Sequence, residues 1–84
     1  MKILILGATG MLGHKLALKL AAQFEVWATV RGPTPAFFLN HKGPVPSIIE
    51  GVDAFKPETV QAAIMQVQPD FVLNCIGVVK QLAA

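Results

Sequence analysis

Four segments of the chain have the apolar or β-forming character of strands: Lys2–Leu6, Glu25–Val30, Ser47–Val52 and Phe71–Ile76. The first is continuously apolar after its lysine and stops at Gly7, which is typical of a strand buried on both faces of a parallel sheet. The second is rich in β-branched and aromatic residues, and the last is apolar for most of its length. The pattern therefore predicts a strand at each of these places.

Residues 11–22 show helical periodicity instead. Their apolar and small residues form two adjacent stripes, Leu12, Leu16 and Leu20 beside Gly13, Ala17 and Ala21. Lys15 and Lys19 fall on another face, which we expect to meet solvent. Thr9 or Gly10 is placed to cap the first turn. The pattern predicts an amphipathic helix directly after the first strand.

The segment between the second and third strands is rich in helix breakers, with Pro33, Pro35, Pro44, Pro46, Gly32 and Gly43. At most one short turn fits there, around residues 36–40. A second long helix is predicted to begin at Pro57, where a missing N–H costs nothing, and to end before Pro69. Its apolar stripe is expected at Val60, Ile64 and Val67.

This alternation of strands and crossovers predicts an α/β fold. Parallel strands with right-handed crossovers form a doubly wound sheet, with the expected order 3-2-1-4. The fourth strand then lies at an edge, although an uncharged apolar edge is an aggregation hazard. We therefore expect a fifth strand to pair there, which makes residues 1–84 the N-terminal part of a larger domain.

Composition supports an incomplete domain and excludes some partners. The 84 residues are 54% hydrophobic and 14% charged, against about 25% charged in an average domain. Either the core is unusually apolar or further chain covers part of this surface, and we favour the second. A net charge of +2 without a basic run argues against nucleic acid or an anionic membrane as partner. One cysteine, no membrane-length stretch and no signal peptide indicate a cytoplasmic protein.

The strongest chemical signal is a G-x-x-G-x-x-G motif between the first strand and the first helix, formed by Gly7, Gly10 and Gly13. The first glycine permits a tight turn, the second lets a pyrophosphate approach the backbone, and the third allows close packing of helix on sheet. The helix N-terminus then offers free N–H groups to phosphates. The alternative is that the glycines serve only the turn. The context favours a dinucleotide site.

The residue after the second strand bears on which dinucleotide binds. An acidic residue there usually contacts the ribose 2′-hydroxyl of NAD. This chain has Arg31 at that position, and its carboxylate Glu25 lies at the opposite end of the strand. A guanidinium suits a 2′-phosphate, so the sequence predicts a preference for NADP(H), with NAD(H) as the weaker ligand. The alternative is an arginine that is merely solvated.

Further candidates follow the third and fourth strands. Asp53 could accept a hydrogen bond from the adenine amino group, or it could be a turn aspartate. Asn74 and Gly77 are expected beside the cofactor crevice, although Asn74 could instead bond to neighbouring main chain. Cys75 is interpreted as a buried filler rather than a nucleophile. His14 and His41 lack partners at metal-ligand spacing, so no metal site is predicted.

Together these motifs resemble the N-terminal part of an extended short-chain dehydrogenase/reductase. Residues 1–13 and 68–74 are most similar to sugar-nucleotide reductases of the dTDP-4-dehydrorhamnose reductase type. The resemblance implies a Rossmann-type NAD(P)-binding domain whose complete protein reduces a keto group on a nucleotide-activated deoxysugar. It also implies a sugar-nucleotide substrate and is compatible with a homo-oligomer. The implied cofactor-binding residues are Gly7, Gly10, Met11, Leu12, Gly13, Arg31, Asp53, Ala54, Asn74, Cys75, Ile76 and Gly77.

Two departures limit the resemblance. The family usually has alanines where this chain has Cys75 and Ile76, so the crevice is expected to be narrower there. Family members also use a Tyr-x-x-x-Lys pair to protonate the carbonyl, but this chain has no tyrosine. The catalytic and substrate-binding parts are therefore expected outside residues 1–84. A non-catalytic NADP(H)-binding regulator and a nucleotide-sugar epimerase or dehydratase remain as alternatives.

Overall fold

The computed structural model describes residues 1–76 of the chain. Its elements are β1 (Lys2–Leu6), α1 (Met11–Ala21), β2 (Glu25–Thr29), α2 (Ala36–Leu39), β3 (Ser47–Ile49), α3 (Pro57–Val67) and β4 (Phe71–Asn74). The four strands form one parallel sheet in the order β3-β2-β1-β4. This confirms the predicted doubly wound α/β arrangement and its strand order.

The central strand β1 explains why the sheet is covered on both faces. Ile3 and Ile5 point into one hydrophobic cluster with Ala17 of α1, while Leu4 and Leu6 point into a second cluster with Val67 of α3. Successive side chains of a strand face opposite sides of the sheet. The continuous apolar run of β1 is therefore divided between two cores, with α1 and α3 on opposite faces.

Helix α1 contacts the sheet through small residues rather than through its leucines. Gly13 and Ala17 are buried, whereas Leu12 is 66% exposed. Leu16 and Leu20 are only partly buried against the core. A smooth stripe lets the helix axis come close to the sheet, which moves the leucines to its flanks. The expected leucine stripe is thus correct for two of its members and wrong for Leu12.

The first turn of α1 begins after Gly10, which is the N-cap residue. Gly10 has extended backbone (φ −73°, ψ 165°), and no side chain of the described residues bonds to the cap. Of the two caps considered from the sequence, Gly10 is therefore correct and Thr9 is not. The free N–H groups of this turn have no side-chain acceptor, which matters for the site below.

Helix α3 begins at Pro57, as predicted, and its predicted apolar stripe is correct at Val60 and Val67, which pack in the second cluster, but wrong at Ile64. Ala63 and Val67 are buried, while Ile64 is 37% exposed. The helix ends at Gln68, whose left-handed φ of 52° stops it before Pro69. A left-handed residue is a common helix terminator. Alanine packs more closely than isoleucine at this contact, so the helix turns its smaller face inward.

Strand β1 has the predicted bounds, whereas the other three strands are shorter than predicted. β2 ends at Thr29, β3 at Ile49 and β4 at Asn74. Within residues 1–76, β4 lies at the edge of the sheet, and its first residue, Phe71, is 58% exposed. The fifth strand stays a prediction, since it would lie outside the described residues. Among the helices of that part of the chain, none has the length and apolar character of a membrane span.

Candidate functional site

A cleft of about 240 Å³ opens at the carboxyl ends of β1, β2 and β4. It lies where α1 and α3 leave the sheet toward opposite faces, which is the switch point where doubly wound sheets bind ligands. The cleft is lined by Gly7, Thr9, Gly10, Thr29, Arg31, Val52, Asp53, Ala54, Phe55, Cys75 and Ile76.

Gly7 forms the turn by which the chain leaves β1. Its φ is +79°, a left-handed value that favours glycine. A Cβ at Gly7 would also stand 2.8 Å from the Ile76 Cγ1 atom and 3.0 Å from the Ile76 nitrogen. Two constraints therefore require glycine here, the turn that the sequence predicts and the approach of the chain after β4.

Gly10 has the opposite surroundings. No atom of the described residues lies within 4 Å of the point where its Cβ would stand, and the residue faces the cleft. Its φ of −73° is open to any amino acid. Nothing in the fold of residues 1–76 requires glycine at this position. The open space beside the N-terminus of α1 is thus available to a ligand.

Gly13 lies beneath the turn rather than in the cleft. A Cβ there would collide with the carbonyl oxygen of Gly7 and stand 3.1 Å from the Ala8 Cα atom and 3.2 Å from the Cys75 Cβ atom. Its role is close packing, as the motif predicts. Met11 and Leu12 occupy the first turn of α1 with side chains 76% and 66% exposed, and neither lines the cleft of residues 1–76.

Arg31 follows β2 and lines the cleft with an exposed side chain. The loop that carries it is tied to the end of β3, because the backbone N–H and the hydroxyl of Thr34 both donate to the Glu50 Oε2 atom at 2.7 Å. These two bonds lower the pKa of Glu50 below its ordinary value of 4.5. The carboxylate of Glu50, which directly follows β3, thus stabilises the loop after β2.

Asp53 and Ala54 line the cleft in the loop between β3 and α3. The Asp53 Oδ1 atom accepts the N–H of Phe55 at 2.9 Å, and the N–H of Asp53 donates to the hydroxyl of Thr59 at 2.9 Å. Asp53 is therefore a turn-forming aspartate. It also lies where the sequence predicts an adenine contact.

The segment after β4 forms the opposite wall. The Asn74 Oδ1 atom accepts the N–H of Ile76 at 3.0 Å, and the N–H of Cys75 donates to the carbonyl of Leu6 at 2.9 Å. Asn74 thus bonds to neighbouring main chain, the second of its two predicted roles, and does not line the cleft. Cys75 packs partly buried against the core, as a filler does. Gly77 lies outside the described residues.

Within residues 1–76, neither histidine belongs to a group of potential metal ligands. The ring of His14 stacks on Phe37 with centroids 3.9 Å apart and contacts Phe38 edge-on at 5.9 Å. It therefore holds α2 against α1, and His41 is exposed. In residues 1–76, no group of three or more potential ligands from histidine, cysteine, aspartate and glutamate lies together.

Some residues of the cleft are not among the cofactor-binding residues that the sequence predicts. Thr9 lies between two glycines of the motif, Val52 and Phe55 lie on either side of Asp53 and Ala54, and Thr29 is a polar residue after the apolar residues 26–28 of its strand. That interruption is the signal that could have drawn attention to Thr29. The side chain is 1% exposed, and buried hydroxyls are usually hydrogen-bonded.

The site has two features that suit an anionic ligand, and the Asp53 carboxylate is the negative group among its lining residues. The site combines the N-terminal N–H groups and partial positive charge of an eleven-residue helix with one exposed guanidinium. The first turn of α1 contains no acidic residue that would compete for those groups. N–H groups at a helix N-terminus and a guanidinium are groups of the kind that bind anions in proteins.

The chain was compared with known proteins. The model of the NAD dependent epimerase/dehydratase family matches residues 3–84. A crystal structure of a candidate epimerase from Burkholderia cenocepacia J2315 is similar, with a TM-score of 0.67 and 29% sequence identity. The match covers 89% of this chain and 24% of that protein, so the chain spans about a quarter of its length. Among curated proteins, no significant match was found.

Proposed function

The chain belongs to the NAD dependent epimerase/dehydratase family, and from this premise we propose that its cleft binds NADP(H) for the reduction of a keto group. The substrate class proposed is a nucleotide-activated deoxysugar, as in reductases of the dTDP-4-dehydrorhamnose type. The observation that carries the cofactor site is the open space at Gly10, beside the N-terminus of α1.

The shape of the cleft fits a dinucleotide. A pyrophosphate needs a backbone that it can approach closely and N–H groups that point at it. Gly10 offers the backbone that can be approached closely, and the first turn of α1 offers the N–H groups. The remaining walls diverge from this point, with Arg31 and Asp53 on one side and Ile76 on the other.

In the proposed arrangement, each wall recognises a different part of the cofactor. Arg31 pairs with the 2′-phosphate of the adenosine ribose, which gives the preference for NADP(H) over NAD(H). Asp53 and Ala54 border the adenine. Cys75 and Ile76 border the adenosine and ribose, and Asn74 holds their backbone through its bond to the N–H of Ile76. A contact from Gly77 stays a prediction from the sequence. Met11 and Leu12 contribute through the backbone of the first helical turn.

The chemistry of reduction is divided between the cofactor and the protein. When bound, the reduced nicotinamide supplies a hydride to the carbonyl carbon of the substrate. The described residues bind and orient the dinucleotide. This chain contains no tyrosine, so the tyrosine acid implied by the resemblance to reductases is not among its residues.

The cofactor site is tested by adding a methyl group where the pyrophosphate is proposed to lie. Gly10→Ala fits the extended backbone and meets no neighbour among the described residues, so we expect the fold to persist. Inserting a methyl group into a filled contact costs about 1–3 kcal/mol, so NADH and NADPH affinity should fall roughly 5- to 150-fold. Isothermal titration measures both.

The matched control is Gly32→Ala. Gly32 is equally open among residues 1–76 but does not line the cleft. This variant should bind NADH with wild-type affinity. NADH is the ligand of choice because it lacks the 2′-phosphate, which is proposed to lie near Arg31. If Gly10→Ala binds both dinucleotides with wild-type affinity, or if the wild type binds neither, the proposed cofactor site is wrong.

An epimerase or dehydratase is the second candidate, because both the family description and the similar crystal structure refer to such activities. The two candidates differ in cofactor balance. A reductase consumes one NADPH for each keto group lost, whereas an epimerase returns its hydride to the sugar. A protein that carries this chain together with the catalytic part expected outside residues 1–84 should consume a 4-keto deoxysugar nucleotide and NADPH in equal amounts. Product formed without net NADPH oxidation would favour the epimerase.

A further inference from the structure

We propose that Thr29 is a positioning residue whose buried hydroxyl holds the glycine turn in the shape that binds the cofactor pyrophosphate. The inference rests on the proposed dinucleotide site and adds a residue that does not belong to the glycine motif. Thr29 is the last residue of β2 and lies 22 positions after Gly7 in the chain.

Thr29 bonds to three of the four residues at which the chain leaves β1. Its hydroxyl donates to the carbonyl of Ile5 at 3.3 Å and accepts the N–H of Gly7 at 3.2 Å. Its own carbonyl accepts the N–H of Ala8 at 3.0 Å. With 1% of its surface exposed, the hydroxyl has little access to water and depends on these partners.

These bonds lie where the regular pairing of β1 and β2 stops. The register of the two strands ends with Ile5 opposite Ala28. Two residues later the backbone of Gly7 turns to a φ of +79°, and the Thr29 hydroxyl accepts the N–H of this residue, beyond the end of the β1–β2 pairing. The hydroxyl therefore connects the last paired residue of β1 to the first residue of the turn.

The position of this turn determines where the pyrophosphate contacts lie. The backbone runs from Gly7 through Ala8 to Gly10 within three residues, and Gly10 is the N-cap of α1. A change in the orientation of Gly7 is passed on to the N–H groups at the start of α1. Loss of the hydroxyl should therefore reduce binding of the pyrophosphate without changing the contacts of Arg31.

The inference is tested with Thr29→Val, which keeps the shape of the side chain and removes the hydroxyl, and with Thr29→Ser, which keeps the hydroxyl. Full chains of the wild type and both variants are titrated with three ligands. These are NADPH, ADP, which has a diphosphate, and 2′-AMP, which has adenosine and a 2′-phosphate only. Net hydrogen bonds of this kind correspond to roughly 2- to 13-fold in an equilibrium constant.

We expect Thr29→Val to weaken ADP and NADPH binding about tenfold and to leave 2′-AMP binding within twofold of the wild type. Thr29→Ser should restore most of the ADP affinity. In the free protein, the amide hydrogen of Gly7 should exchange faster in Thr29→Val than in Thr29→Ser. That pattern supports a positioning role.

Two results would overturn the inference while leaving the cofactor site intact. One is wild-type ADP affinity in Thr29→Val, and the other is an equal loss of ADP and 2′-AMP affinity, which indicates a general role in folding. Failure of the wild type to bind any of the three ligands would instead refute the proposed cofactor site. If Thr29→Val does not fold, Thr29→Cys, with a thiol that is a weak hydrogen-bonding group, replaces it and should lose ADP affinity alone.

Discussion

Gly7, Gly10 and Gly13 occupy equivalent places in a repeating motif, but a side chain is excluded at only two of them by the described fold. Gly7 has a left-handed backbone and lies against Ile76, and Gly13 lies against the carbonyl of Gly7. Gly10 is free of both constraints within the described chain. Gly32 is equally open among residues 1–76 but lies outside the cleft, so our proposed pyrophosphate contact rests on the combination of open space at Gly10 with its place in the cleft.

Arg31 is the residue on which the proposed NADP(H) preference depends. Replacing it with alanine should remove a charged hydrogen bond worth about 1.5–3 kcal/mol, so the ratio of NADPH to NADH affinity should fall roughly 10- to 150-fold. NADH affinity should change little, because NADH has no 2′-phosphate. Titration of the wild type and Arg31→Ala with both cofactors measures the ratio.

Arg31→Lys serves as the control for charge alone. It keeps the positive charge but cannot form the paired bonds of a guanidinium, so its ratio should lie between those of the other two proteins. An unchanged ratio in Arg31→Ala would show that this arginine is merely solvated and that the preference arises elsewhere.

At the scale of elements, the site is assembled from segments that are short in sequence and held by bonds between them. The loop after β2 is tied to Glu50 at the end of β3, and the loop after β3 is folded around Asp53 by its own carboxylate and by Thr59. Helix α2 is held to α1 by the stacking of His14 on Phe37. The loops that carry Arg31 and Asp53 are therefore each held by hydrogen bonds among the described residues.

The two hydrogen bonds from Thr34 to Glu50, which tie the loop after β2 to the end of β3, should depend on pH. Bonding to Thr34 lowers the pKa of Glu50. The stabilisation by these hydrogen bonds is therefore complete above pH 4.5, the ordinary pKa of this carboxyl. It is lost as the pH falls through the lowered pKa. In the wild type, the amide proton shift of Thr34 should titrate with a midpoint below 4.5.

Glu50→Gln is the matched variant, since its amide oxygen can still accept a hydrogen bond but does not ionise in this range. The Thr34 amide shift should then be flat across the same pH interval. A wild-type midpoint at or above 4.5 would contradict the assignment of these bonds.

At the scale of the whole molecule, the order β3-β2-β1-β4 accounts for the position of the cleft. Strands β2 and β4 pair with β1 on its two sides. The connections that lead to them therefore run over opposite faces of the sheet and leave a gap above β1. Within residues 1–76, β4 is the edge beside this gap, and Phe71 and Val72 on it are 58% and 43% exposed. Pairing with a fifth strand stays our expectation for this edge.

The amino-acid sequence alone determined the element order, the parallel sheet and the glycine turn. These features depend on residues close together in the chain, through periodicity, proline and glycine conformations, and the length of each crossover. Pro57 as the start of α3 and the short helix in the proline-rich crossover are correct for this reason.

Only the tertiary structure decided which faces and which polar groups form the site. Which residues of α1 and α3 face the sheet depends on how closely small residues approach it. A local sequence pattern does not measure that distance. The Thr29 hydroxyl meets Gly7 across 22 positions, and Thr34 meets Glu50 across 16. Such bonds join residues that the fold brings together, so their partners cannot be identified from either segment alone.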